Sequence, residues 1–294
     1  MKNRSIALLK LALSMGIFGS IGLFVRNIPL DSSVIAFFRA VVGTIFLLLI
    51  LSLGKKHISF DTLCKYGITL LLSGCALGFN WILLFEAYKF TSVAQATLCY
   101  YMAPILVILA SPLLLREKLT AKKLMCVLFA FCGMVFVSGF SKWGNQIVNL
   151  TGILLGLGAA LLYAFVMLMN KCQQEIPTFE RTIFQLAISA IVLLPYNLLT
   201  GGFQGAALNG GQLILLLAVG VIHTGLAYYL YFSAMAHLPG QTIAIVSYLD
   251  PVIAVLVSVV LLLESVFWIE ILGAILIIGA AIYSEIPTKK EKNL

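Results

Sequence analysis

Residues 78–117 read GFNWILLFEAYKFTSVAQATLCYYMAPILVILASPLLLRE, and residues 225–264 read GLAYYLYFSAMAHLPGQTIAIVSYLDPVIAVLVSVVLLLE. A shift of 147 residues, half of the 294-residue chain, aligns the two without a gap. Gly78 falls on Gly225, Phe85 on Phe232, Ala87 on Ala234, Tyr101 on Tyr248, Pro104 on Pro251, Ser111 on Ser258 and Glu117 on Glu264. Identities at Tyr, Pro and Glu in one register are hard to obtain by chance from Leu- and Gly-rich sequence. Beyond Glu117 the register weakens, with Gly133 falling on Ala280, one residue past Gly279. The chain therefore reads as two repeats, residues 1–146 and 147–294.

Composition decides what is repeated. Hydrophobic residues make up 62% of the chain and charged residues 10%, against about 25% charged in a soluble domain. Mean hydropathy is +1.08. From Thr182 to Leu249 there is no formal charge at all. A spanning helix needs ~20 mostly apolar residues, and only helices or closed barrels satisfy their backbone in hydrocarbon. The runs are continuous rather than alternating, so the expected fold is all-α: ten transmembrane helices, near 6–25, 32–53, 64–86, 91–115, 121–140, 151–171, 178–199, 212–236, 240–263 and 266–284. Five spans per repeat is an odd number, so the second repeat enters upside down. Inverted repeats of this kind are a recurring plan of secondary transporters.

The net charge of +8 marks topology rather than a nucleic-acid surface. Fifteen of the nineteen Lys and Arg residues fall on the side of the termini, only Arg26, Lys89 and Lys142 opposite, and Arg39 within a span. The positive-inside rule then places both termini in the cytoplasm, with a bacterial inner membrane as the expected location. Lys2 and Arg4 before an apolar stretch imitate a signal peptide, but no clean cleavage site follows, and the segment reads as an uncleaved first span. The cysteines form no CxxC pair and the histidines are scattered, so neither a disulfide framework nor a metal site is expected. No HExxH, P-loop or GxSxG motif is present, and no cofactor or catalytic residue is implied.

The stretch from Phe85 to Pro104, the Leu115-Arg-Glu-Lys-Leu-Thr120 that follows, its second copy from Ser247 to Glu264, and Phe37-Phe-Arg39-Ala resemble the EamA-type transporters of the drug/metabolite transporter superfamily. The resemblance covers nearly the whole chain. It implies two inverted five-helix repeats, a central cavity lined by spans 1, 3, 4, 6, 8 and 9, and movement of small metabolites, with export expected. The second copy lacks the basic residues that follow Glu117; its loop should lie outside, where the positive-inside rule does not call for them.

Within that frame several side chains are candidates. Pro104 and Pro251 sit mid-span, each removing an N–H and freeing a carbonyl, those of Tyr100 and Ser247. Irregular backbone at this depth is tolerated where it lines a cavity or is buried in protein. Asp250 lies a little under halfway into its span, where an acid costs ~2.5–3.5 kcal/mol on insertion scales; its first-repeat counterpart is Ala103. The offset could come from a substrate, a proton, water or backbone amides at the kink. Trp81, Tyr100, Tyr101, Tyr228 and Tyr248 could form a cage for an organic cation or a stacking side chain, or simply pack. Tyr88 and Tyr231 suit an interfacial belt. His223 is either proton-responsive or a hydrogen-bonded core residue. Arg39 and Glu86, both toward the outer ends of their spans, are expected to pair as a structural or gating contact.

The function expected is a secondary transporter of amino acids or related amines by alternating access, with a small-molecule substrate and the lipid bilayer as partners. Alternatives are a flippase for a lipid-linked intermediate, an intramembrane enzyme, or a non-transporting scaffold.

Overall fold

The computed structural model describes residues 2–54, 60–91, 93–137, 149–204, 207–262 and 267–286. Glu264 and the loop and tail lysines Lys55, Lys56, Lys142, Lys289, Lys290 and Lys292 lie outside the described residues. Among the described residues there are helices and no strands. They are α1 (Lys2–Gly19), α2 (Ile21–Val25), α3 (Ser32–Leu53), α4 (Phe60–Phe90), α5 (Val93–Tyr100), α6 (Ala103–Leu114), α7 (Ala121–Val137), α8 (Leu150–Cys172), α9 (Thr178–Leu199), α10 (Gly210–Gly220), α11 (Ala227–Met235), α12 (Gly240–Ser247), α13 (Leu249–Leu262) and α14 (Trp268–Glu285). Eight stretches are long and apolar enough to cross a membrane, with α1–α2, α5–α6, α10–α11 and α12–α13 each counting as one. The 17-residue α7 and 18-residue α14 complete ten. With ten crossings both ends of the chain lie on one face, called here the terminus face; the other is the distal face.

The side chains are distributed for lipid rather than water. Leu53, Ile68, Leu113, Leu199, Ile214 and Val260 are exposed. The helix contacts are rich in buried Ala, including Ala40, Ala96, Ala130, Ala159, Ala160 and Ala244. Lipid tails are as apolar as Leu, so the bundle is held by close approach and interhelical hydrogen bonds instead. Asn80 of α4 donates to the Ala159 carbonyl of α8 (2.7 Å). Gln185 of α9 donates to Ser73 of α4 (2.9 Å) and Asn170 of α8 (3.1 Å). Arg181, which sequence order places among the terminus-face charges, is 1% exposed. Its guanidinium donates to the carbonyls of Asn170 (3.1 Å) and Gln173 (2.7 Å), the orphan acceptors where α8 ends.

The helix pairing carries the internal symmetry. A 147-residue shift takes α3 onto α9, and these two pack on each other; α1 on α11 becomes α8 on α4, and both pairs pack. The α7–α14 pair, the fifth span of each repeat, maps onto itself. The small residues at that crossing are Gly133 and Gly273, not Gly279, which has open space beside it. A Cβ on Gly133 would lie 2.6 Å from the Gly273 carbonyl, and one on Gly273 would lie 2.8 Å from Phe136 Cβ and press on the Gly133 carbonyl.

Gly273→Val should therefore force α7 and α14 apart. Overpacking of this kind costs about 1–3 kcal/mol. A lower melting temperature of the detergent-purified protein is expected, and an unchanged one would refute the tight crossing.

Candidate functional site

The two spans that carry Pro104 and Pro251 break just before these prolines, whereas Pro195 leaves α9 unbroken. One helix stops at Tyr100 and resumes at Ala103; its partner stops at Ser247 and resumes at Leu249. At each break the turn tightens to bonds three residues apart, Met102 N–H to Cys99 (3.1 Å) and Tyr248 N–H to Ile245 (3.2 Å). The Tyr248 hydroxyl crosses to the first break and donates to the Tyr101 carbonyl (2.8 Å). The Tyr101 hydroxyl crosses the other way and donates to Asp250 (2.9 Å). The two rings lie 6.3 Å apart, so the repeat-related tyrosines bind the two broken helices to each other.

Beside this junction is a cavity of about 280 Å³. Met15 and Phe18 of α1, Arg39 of α3, Trp81 and Tyr88 of α4, Tyr100, Tyr101 and Pro104 at the first break, Tyr163 of α8, Tyr228 of α11, and Ser247 and Asp250 at the second break line it. Counted along the helices, these positions run from mid-membrane toward the distal face. Its walls are aromatic: Tyr100 stacks on Tyr163 (5.3 Å, 26°), and Tyr228 meets Phe18 (5.1 Å) and Trp81 (6.2 Å) edge-on. Two formal charges face it, Asp250 and Arg39.

Several expectations change here. Arg39 does not pair with Glu86. Its guanidinium stands 4.5 Å above the Trp81 ring, and its Nε is buried without a hydrogen-bond partner. Glu86 takes Lys89, one turn on, at 2.8 Å, and accepts from the Tyr196 hydroxyl. The reason is local: Lys89 lies three residues from Glu86 on the same helix face, whereas Arg39 points inward to Trp81. Span 2 thus joins the cavity wall. Tyr88 lines the cavity and Tyr231 is fully buried, its hydroxyl 3.2 Å from Ser247, so neither belongs to an interfacial belt. Tyr248 lies behind the wall, positioning Tyr101, and Pro251 is buried beneath it. His223 is outside the cavity, in a π-helical turn (Val221–Leu226), with Nε2 3.1 Å from Ser20 Oγ and its ring 4.6 Å from Phe24. Tyr163 is a wall residue that sequence reasoning passed over. Its repeat counterpart is Gly16, so the internal symmetry carries no signal for it.

Polar contacts between the repeats, and one within the second repeat, join the helices on the terminus side beneath the cavity. Glu117 accepts the N–H groups of Gly240 (2.7 Å) and Gln241 (3.3 Å), the first amides of α12. The Gln241 side chain donates to Ser111 (3.0 Å) and the Lys118 carbonyl (3.3 Å). Lys171 donates to the Met235 (3.1 Å) and Leu238 (2.5 Å) carbonyls, where α11 ends. A carboxylate at a helix N-terminus and an ammonium at a C-terminus both complement the helix dipole.

Glu117→Gln keeps the shape of this latch and removes its charge, at a cost of about 0.3–1 kcal/mol or more where part-buried. A cysteine replacing Ile243, in a background without other cysteines, should then react faster with maleimide applied from the terminus face; equal rates would show that Glu117 does not hold that side shut.

The EamA-like transporter family model matches residues 5–139 and again 150–284. An uncharacterized transporter, YxxF, of Bacillus subtilis is 33% identical over 88% of this chain and 83% of its own length. An uncharacterized transporter of Archaeoglobus fulgidus is 24% identical over 92% of this chain and 93% of its own. A solved crystal structure, 19% identical, superposes with a TM-score of 0.82 over 95% of this chain and 98% of that one, a likeness of fold.

Proposed function

The chain belongs to the EamA-like transporter family, and from that premise we propose that it is a secondary transporter of amino acids or related amines, working by alternating access with export as its direction. One observation carries the reading: a small aromatic cavity at two broken helices faces one carboxylate and one guanidinium. At about 280 Å³ it lies just below the ~300–1,000 Å³ of typical ligand sites. That favours a metabolite over a lipid-linked headgroup.

The chemistry follows from what each group lacks. Asp250 has Tyr101 as donor, and an ammonium would offset the rest of its desolvation. Arg39 has its Nε unpartnered, and a substrate carboxylate would match its planar fork. The faces of Trp81, Tyr100 and Tyr228 suit an ammonium or an apolar side chain. With the termini cytoplasmic, as the charge count favours, the cavity faces outward in a bacterial cell membrane and the Glu117 latch closes the inside. Units 1–146 and 147–294 would rock about the breaks at Pro104 and Pro251. With no nucleotide-binding motif, the driving force is the substrate's own gradient or an ion's. No catalysis, cofactor or nucleic acid enters the scheme.

Efflux of labelled amino acids from preloaded cells tests this. Losing one charge-assisted bond costs about 1.5–3 kcal/mol, so Asp250→Asn should slow efflux by about 10- to 100-fold. Arg39→Gln should do the same for amino acids yet spare amines without a carboxylate. Wild-type rates in Asp250→Asn would remove the carboxylate from the mechanism. Pro251→Ala should cut transport while leaving expression intact.

A further inference from the structure

A second cavity, of about 520 Å³, lies in the terminus-side half. It is lined by Leu51 near the end of α3, Thr178, Phe179 and Glu180 at the start of α9, and Tyr229 and Ser233 of α11. Leu51 is twelve residues beyond Arg39 on one helix, about 18 Å along its axis, so the two cavities occupy opposite halves of the membrane. α11 stands between them: Tyr228 faces the first and Tyr229 the second.

Glu180 is the feature of this second cavity that packing does not explain. It is 7% exposed, and its Oε2 has no hydrogen-bond partner. The ammonium brought to this cavity by the fold, that of Lys10, is instead bonded to Ser233 Oγ (2.9 Å). A buried carboxylate oxygen without a donor carries an uncompensated desolvation cost, and a cationic ligand would remove it. The rest of the lining selects among cations. A hard metal ion takes six or more oxygens. Here the lining side chains offer few beyond Glu180, and the Ser233 hydroxyl is already engaged. The Phe179 and Tyr229 rings, 4.2 Å apart, provide faces suited to an organic cation.

We propose that this cavity is a second binding site, taking an organic ammonium on the Glu180 carboxylate beside Phe179 and Tyr229. The site stands whether or not the central cavity transports amines.

The test is equilibrium binding of radiolabelled benzylammonium to the full-length protein in detergent. The wild type should bind a component that disappears in Glu180→Gln and persists in Asp250→Asn. Phe179→Leu and Tyr229→Leu should each weaken that component by about 10-fold; they also serve where Glu180→Gln fails to give a monodisperse protein. An isotherm unchanged in Glu180→Gln, or unchanged in both ring variants, would overturn the site. Displacement of this component by sodium chloride but not by potassium chloride would overturn its assignment to an organic ammonium. If Asp250→Asn leaves all binding intact, the central-cavity reading fails while this site survives, so the two failures are distinct.

Discussion

The structure depends on one constraint: in hydrocarbon a backbone N–H or C=O that leaves its helix must be met by protein. Two spans violate helical continuity at mid-membrane, at Tyr101–Met102 and at Tyr248. They can do so because each break lies against the other. The Tyr248 hydroxyl reaches the Tyr101 carbonyl, and the tightened turns engage part of what remains. Everything around the breaks follows from sheltering them. α1, α4, α8 and α11 enclose the junction, and the cavity is the space left where two helices change direction. Arg39 and Asp250 can stand at this depth because the cavity and its aromatic walls, not lipid, surround them.

Twofold symmetry supplies the scaffold, and departures from it supply the chemistry. Packing exchanges under the 147-residue shift: α1–α11 for α4–α8, α3 with α9. The two tyrosines at the centre obey the same relation in position but not in bonding. Tyr248 donates to a backbone carbonyl, whereas Tyr101 donates to Asp250, whose counterpart Ala103 has no acceptor. Trp81 matches Tyr228, and Tyr100 matches Ser247. One half of the cavity is therefore more aromatic, and the other carries the carboxylate. In the proposed alternating-access scheme a symmetric frame would let the two faces open in turn, and an asymmetric lining would let the site hold a solute with two different ends.

The sequence made the frame legible and left much of the site hidden, for physical reasons. Span count, helix class and the positions of both breaks follow from hydropathy and proline, because bilayer thickness and the missing N–H act locally. Asp250, Trp81, Tyr100, Tyr101 and Tyr228 were readable as candidates, since a polar or bulky group in an apolar span has to be accommodated. What could not be read is azimuth. Whether Arg39 turns toward Glu86 or Trp81, whether Tyr88 faces lipid or cavity, and whether His223 points in or out depend on how helices rotate about their axes. Rotation is set by small-residue contacts such as Gly133 on Gly273, which the weakening repeat register around Gly279 misplaces. Tyr163 and Glu180 belong to the same class: one has only Gly16 as its symmetry mate, and the other sits beside Arg181, which charge counting assigns to the terminus face. Yet both are buried, Arg181 against the end of α8.

On the terminus face, apolar packing of α12 is supplemented by modest polar contacts. Glu117 on the first amides of α12 and Lys171 on the last carbonyls of α11 are dipole contacts, each worth on the order of 1 kcal/mol. The segment between, Ala236–Pro239, connects the two helices and buries Leu238 in the core, beside the buried Ile243, Ala244 and Ile245 of α12. A solute can shift such an equilibrium only by its difference in affinity for the two arrangements. A few kcal/mol from Asp250 and Arg39 would be enough in magnitude. α11 touches three places: its Tyr228 forms the cavity wall, its Met235 carbonyl accepts from Lys171, and its Tyr229 lines the second cavity.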